Sequence, residues 1–214
     1  MSPGRQPRGG PARASGGRGP APAGLRIVGG RWRGRRLDAG DDRSVRPTAE
    51  RMREALFNIL AHAPDWRRDE GPLPLDAAVL DVFAGSGALG LEALSRGAVR
   101  CAFLEKDPRA AALIRRNLDG LGLPPGAAEV LRRDATAPGK AAFAADLAFL
   151  DPPYGQALAD PALAALLAAG WLKPGALVVL ETGGSEPLPE VAGFILRDER
   201  RYGIARAVFL EVAG

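Results

Sequence analysis

At 214 residues and 46% hydrophobic side chains, the chain is long enough for one substantial α/β domain with a core of its own. Apolar runs such as Ala162–Ala169 are too short to span a bilayer, and no apolar segment follows the N-terminal arginines as in a secretory signal, so a cytoplasmic protein is expected. The formal charge of +4 divides into +9 over residues 1–53 and −5 over the remainder, and a basic front on a mildly acidic body points to a polyanionic partner gripped from the N-terminal side.

Residues 1–24 are built mainly from Gly, Pro, Ala and Arg, with no acid and only Met1 as an apolar side chain larger than alanine, too little to offset the entropy of ordering, so a disordered tail is predicted. Leu25–Leu37 alternates strand-forming Ile27, Val28 and Trp32 with arginines and with turn-permitting Gly29, Gly30 and Gly34, which reads as a small basic hairpin. Arg46-Pro47-Thr48 then opens a helix, with Thr48 as N-cap and Met52, Leu56, Ile59 and Leu60 as its apolar face. A polar link, Pro64–Pro74, leads into short apolar strands alternating with helices, the pattern of a parallel sheet with crossover helices.

Strands are predicted near 78–83, 99–105, 128–132, 146–150 and 176–181, and helices near 87–96, 108–119 and 160–169. Asp107-Pro108 and Asp160-Pro161 each pair an N-cap acid with a proline at the first helical position, while Gly120 and Gly170 stand where C-terminal glycines belong. The chain closes with two strands, 194–197 and 204–212, joined by a charged turn. The single histidine, His62, reads as a surface or helix-end residue without partners for a metal site, and the single cysteine, Cys101, as a buried strand residue.

Asp81-Val82-Phe83-Ala84-Gly85-Ser86-Gly87-Ala88-Leu89-Gly90 joins the first of these strands to its helix with the G-x-G-x-x-G spacing of a nucleotide-binding turn. Its flanks choose between cofactors. A carboxylate at Asp81, at the strand's end, is awkward beside a pyrophosphate but suits the ammonium of a methionine moiety. Glu105, ending the second strand, can accept both ribose hydroxyls, and Asp134, after the third, can accept from an adenine amine. A dinucleotide enzyme would also need a second mononucleotide half and a substrate domain, for which little chain remains. S-adenosylmethionine is therefore expected over NAD, with Phe83, Ser86, Lys106 and Ala135 completing the candidate cofactor set.

Asp151-Pro152-Pro153-Tyr154 follows the apolar strand Leu147–Leu150 and is expected to face the same cleft. An exocyclic base amine is a poor nucleophile because its lone pair is delocalised into the ring. The Asp151 carboxylate and the Pro152 carbonyl can hold its two hydrogens, the paired prolines fix that carbonyl, and Tyr154 offers a face for the base. A sulfonium is already electrophilic, so alignment should supply most of the acceleration, and Asp151 can accept the amine's proton without a raised pKa.

These stretches, with Arg26–Leu37, Arg46–Thr48, Arg51–Leu60 and Phe103–Asp107, resemble the bacterial 16S rRNA (guanine(966)-N2)-methyltransferase family from Leu25 onward. The glycine loop and tetrapeptide are common to many amino-methyltransferases; the N-terminal stretches carry the resemblance to this family. It implies a Rossmann-like, class I methyltransferase fold: a seven-stranded, mostly parallel sheet with its last strand antiparallel and helices on both faces. It also implies guanine N2 in 16S rRNA as target, within the assembled small subunit; separately, a monomeric enzyme is expected, without metal because His62 has no partners to share a site. The expected organisation is a 1–24 tail, a 25–74 RNA-docking extension and a 75–214 methyltransferase domain. Arg26, Arg31, Trp32, Arg33, Arg35, Arg36, Arg46, Thr48 and Arg51 are the candidate RNA contacts. The competing expectations are an adenine-N6 methyltransferase of DNA, disfavoured by the lack of room for a target-recognition domain, and a non-catalytic assembly factor, disfavoured by the intact loop and tetrapeptide.

Overall fold

The computed structural model describes Met1 and residues 25–40, 47–69 and 71–214, with only the backbone given for 47–49 and 65. The tail over 2–24, Arg46 and the side chain of Thr48 lie outside these described residues. In chain order, a 3-10 turn at Gly30–Trp32 precedes helix α1 (Pro47–His62) and the two-residue strands β1 (Arg67–Arg68) and β2 (Gly71–Pro72). There follow β3 (Ala78–Val82), α2 (Ala88–Ser95), β4 (Arg100–Leu104), α3 (Pro108–Leu118), β5 (Ala128–Leu131) and β6 (Ala145–Leu150). The last elements are α4 (Ala159–Ala168), β7 (Leu172–Gly183), β8 (Phe194–Tyr202) and β9 (Ala205–Val212).

Seven strands form one sheet in the order β5-β4-β3-β6-β7-β9-β8. β3 to β7 are mutually parallel, and β9, the last strand, runs antiparallel between β7 and β8. The central strands β3, β4 and β6 are buried on both faces, which is why they read as apolar runs, whereas the edge strand β5 is only partly buried. One face packs on α1, α2 and α3, with Phe57, Leu60, Leu91 and Ile114 meeting Val79, Phe103 and Phe149. The other packs on α4 through Leu163 and Leu166, with Trp171 beside them. Cys101 is buried in β4 as expected, and His62 is exposed in the last turn of α1. No helix among the described residues is long and apolar enough to cross a membrane, and none of their acids, histidines or cysteines group as metal ligands.

α1 begins at Pro47, which puts Thr48 inside its first turn rather than at its N-cap, and three other local expectations also need correction. The Leu25–Leu37 segment is not one of them: it folds back on itself as a small hairpin, with the antiparallel Arg26–Arg36 bridge and backbone bonds from Leu37 N–H to the Leu25 carbonyl at 2.8 Å, Ile27 N–H to the Arg35 carbonyl at 3.0 Å and Gly34 N–H to the Ile27 carbonyl at 2.8 Å. The hairpin's remaining groups reach α2: Val28 N–H donates to Glu92 Oε2 at 2.8 Å, Trp32 N–H to Ser95 Oγ at 2.9 Å, and Ser95 Oγ–H to the Gly29 carbonyl at 2.6 Å. A side chain at Gly30, where φ is +73°, would run into the Ser95 carbonyl, so that glycine serves close approach as well as turning. The polar link contains the β1–β2 ribbon and Trp66, which stacks on Phe209 with ring centroids 4.6 Å apart.

At α4, Leu158 and not Asp160 is the N-cap; Asp160 lies in the first helical turn, where an acid still complements the helix dipole. Asp107 caps α3 as expected, accepting from Arg109 N at 2.6 Å and Ala110 N at 3.1 Å. The charged turn expected after residue 197 is mostly strand. β8 is a solvent-facing edge, so its charges leave the ladder intact and pair locally, as in Arg197 Nε to Glu211 Oε2 at 2.9 Å.

Candidate active site

β3 connects onward to β4 on one side while β6 lies on the other, so the carboxyl ends of β3 and β6 mark the point where a parallel sheet opens a crevice. A cleft of about 980 Å³ opens there, lined by Phe83, Glu105, Lys106, Arg133, Ala135, Asp151–Tyr154 and Glu181, with Met52 from α1 and the β8–β9 turn at its edges. An adjoining hollow of about 240 Å³ shares Met52, Phe83, Asp151 and Glu181 and adds Leu25, Arg53, Asp81, Gly85 and Ser86.

The three loop glycines have different physical duties. Gly85 (φ +54°) and Gly87 (φ +77°) take left-handed backbone, and nothing crowds a Cβ at Gly85, which leaves that stretch open to a ligand. Gly90 has ordinary dihedrals, but a Cβ there would overlap the Phe103 ring and Cys101 Sγ; it lets α2 lie on β4. Phe83, at φ +58°, is strained backbone for a non-glycine at the edge of the cleft.

The acids sort by position. Asp81, buried, accepts the Gly90 N–H at 2.8 Å, and burial together with the Asp151 and Glu105 carboxylates pushes its pKa up to about 8 against that hydrogen bond. Glu105 accepts Gly85 N–H at 2.9 Å on one oxygen and Asp107 N–H at 2.8 Å on the other, each oxygen keeping a second lone pair. Asp134 does not line the cleft, as its neighbours Arg133 and Ala135 do. It accepts from Thr136 N and Oγ1 at 2.9 and 2.8 Å and meets Lys106 Nζ at 3.4 Å, and the Thr136 bonds hold its pKa down.

Asp151 is exposed by accessible surface, but only into the cleft, whose walls still deprive its charge of water. That desolvation and the nearby Glu181 push its pKa up to about 7, a raised value that the alignment chemistry did not demand. Pro152 is buried and Tyr154 is half-exposed to the cleft, its hydroxyl donating to Glu181 Oε1 at 2.7 Å. Sequence reasoning missed Glu181. The available signal was an acid ending the apolar run Leu177–Leu180 at a parallel strand's carboxyl end.

Sequence reasoning also missed a buried ionic cluster. Glu92, fully buried, meets Arg96 Nε at 2.7 Å and Arg53 Nε at 3.8 Å, while Arg53 donates to the Arg26 carbonyl at 2.6 Å. This cluster joins the Leu25–Leu37 segment and α1 to α2 beside the cleft. Of the candidate RNA contacts, Arg33, Arg35, Arg36 and Arg51 are exposed. Arg31 lies over the half-buried Trp32 ring at 5.6 Å, and Arg26 pairs with Glu50 at 3.2 Å.

A sequence profile for the family described as conserved hypothetical protein 95 matches residues 25–211. The ribosomal RNA small subunit methyltransferase D of Haemophilus influenzae is 37% identical over 84% of this chain and 90% of its own length. Its Escherichia coli namesake is 38% identical over 84% and 85%. Among solved structures, the Escherichia coli protein yhhF, described as a candidate methyltransferase, superposes with a TM-score of 0.74 at 35% identity, over 89% of this chain and 98% of that one. The sheet order, the single reversed strand and these neighbours make the fold a Rossmann-like class I methyltransferase fold. From Leu25 onward the chain belongs to the conserved hypothetical protein 95 family, together with the ribosomal RNA small subunit methyltransferase D proteins.

Proposed function

We propose that the protein transfers the methyl group of S-adenosylmethionine to the exocyclic N2 amine of a guanine in 16S rRNA, within the small ribosomal subunit. The observation that carries this reading is the opening of Asp151–Tyr154 into the same cleft as Glu105, with Asp151 shared by the adjoining hollow that Gly85 lines. The donor set fits the cofactor: Asp81, Glu105, Asp151 and Glu181 give the crevice an excess of carboxylate, suited to a ligand bearing an ammonium and a sulfonium rather than a pyrophosphate. When bound, S-adenosylmethionine supplies an electrophilic methyl group.

The chain's own residues do the rest. Gly85–Gly87 provides a close backbone approach, with Phe83 and Ser86 beside it. Glu105 takes the ribose hydroxyls on its remaining lone pairs, and Lys106 and Ala135 border the adenine end, with Asp134 outside the lining and paired to Lys106. Asp151 and the Pro152 carbonyl hold the amine, Pro153 stiffens the turn, and Tyr154 carries the base on its ring. Asp151 accepts the proton released after transfer, and with a pKa of about 7 it is matched to that task near neutral pH.

The names of the relatives support ribosomal RNA of the small subunit as substrate. The arginines of 25–74, with Trp32, Thr48 and Arg51, dock that RNA, and the protein works as a cytoplasmic monomer. The test offers small subunits from a deletion strain, naked 16S rRNA and duplex DNA to the purified enzyme with labelled cofactor, and maps the product by mass. N2-methylguanine in small-subunit rRNA is expected. N6-methyladenine in the DNA arm, or no cofactor binding by calorimetry, would overturn the reading.

A further inference from the structure

The tetrapeptide serves any exocyclic amine, so something else in the cleft must tell guanine from the other amino bases. β6 and β7 pair in parallel with Leu150 opposite Leu180, which sets Asp151 and Glu181 side by side at adjacent strand ends, about 4.8 Å apart along the hydrogen-bonding direction. Strand alternation sends Glu181 to the side of Val179, the core layer beneath α1 where Phe149 also packs, and both acids line the cleft. Glu181 spends Oε1 on the Tyr154 hydroxyl at 2.7 Å. Its Oε2 accepts no hydrogen bond from the described residues. An ionised carboxylate only accepts, so this open oxygen calls for a donor from the ligand.

The amino bases differ at the ring nitrogens beside the amine. In guanine, N1 carries a hydrogen next to the C2 amine. In adenine and cytosine, the ring nitrogen beside the amine is a bare lone pair. We infer that Glu181 selects guanine, its open oxygen accepting the N1–H while Asp151 and the Pro152 carbonyl hold the neighbouring N2 amine. The inference rests on the methylation reading of this cleft. A base with a lone pair at that position would face the carboxylate acceptor to acceptor and leave a charge unsatisfied. A cationic cofactor in the same crevice favours the ionised form that this role needs.

The test uses the full chain and reconstituted small subunits carrying, at the position the wild type methylates, guanine, 2-aminopurine or 2,6-diaminopurine. Both analogues keep the C2 amine but have a bare N1. The wild type should favour guanine in kcat/KM by at least about a hundredfold, as sites built to hydrogen-bond a substrate group reject analogues lacking it. Glu181→Gln, whose amide can accept or donate, should reduce that ratio to below about tenfold by losing guanine activity and gaining analogue activity. Tyr154→Phe should slow all three substrates and leave the ratio intact. If Glu181→Gln slows all three by one factor, Glu181 merely positions Tyr154 and the inference falls while guanine methylation stands. A wild-type product other than N2-methylguanine would remove both.

Discussion

Asp151 and Glu105 sit at the ends of different strands, and the chemistry asks different things of them. Asp151 faces the reacting amine. Asp151→Ala should leave cofactor affinity nearly unchanged in calorimetry while lowering turnover by at least about a hundredfold in single-turnover assays, the scale of a lost positioning and proton-accepting group. Near-normal turnover would take it out of the mechanism. Glu105 holds the glycine loop through Gly85 N–H and keeps lone pairs for the ribose, so Glu105→Ala should weaken cofactor binding by about 1.5–3 kcal/mol. Unchanged affinity would show that its role ends at the loop.

The buried acids also predict a pH dependence. Asp81 and Asp151 have folded pKa values near 8 and 7, above the ordinary carboxylate value of the unfolded chain. Their contribution to stability is complete below about pH 4 and is lost as pH rises through 8, because the unfolded chain releases its protons first. Melting scans of the cofactor-free protein should therefore show a falling Tm between about pH 5 and 8. Asp81→Asn, whose amide oxygen can still accept the Gly90 N–H, should flatten that slope, and a slope equal to wild type would contradict the raised value. Binding a cation near pH 7 should release protons, seen as calorimetric heats that vary with buffer ionisation enthalpy.

At the scale of elements, the Leu25–Leu37 hairpin closes on its own backbone bonds and is seated on the molecule by α2. Glu92 accepts Val28 N–H and meets Arg53 and Arg96 from a fully buried position. Removing it would leave the Arg53 guanidinium, only 5% exposed, without its buried counter-charge. Glu92→Ala should then destabilise the fold by about 3–5 kcal/mol, read as a lower denaturant midpoint. A change under about 1 kcal/mol would mean that the apolar contacts of Leu25, Ile27 and Leu37 hold the segment alone. The helix and strand positions near this junction were legible from apolar periodicity, since Met52, Leu56 and Leu60 all face the core. The ionic cluster was not: Arg53 and Glu92 each place a charge on a buried helix face, but they are 39 positions apart and nothing local shows that they meet.

For the whole molecule, the segment's charge acts at long range. Arg33, Arg35 and Arg36 are exposed near a cleft whose wall includes Leu25 and Met52. If they contact RNA phosphates, binding should weaken steeply with salt, each contact adding about 0.7–0.9 to the log–log slope. Neutralising all three should flatten that slope by roughly two to three and raise the RNA half-saturation, with cofactor affinity unchanged. Wild-type salt dependence in the triple variant would place the grip on another surface.

The sequence by itself determined the alternating strands and helices, the glycine loop and the Asp151–Tyr154 tetrapeptide, because each is written in contiguous residues whose local geometry or periodicity is self-contained. Only the tertiary structure decided what lies beside what. The pairing of Leu150 with Leu180 sets Glu181 next to Asp151 across 30 positions of chain. The approach of Gly30 to Ser95 likewise seats the expected hairpin on α2. For the two acids the physical reason is that a parallel sheet is built from crossover connections, so neighbours at its carboxyl edge come from distant segments and share no local signal; for Gly30 and Ser95 it is that packing between elements is set by neither segment's own pattern.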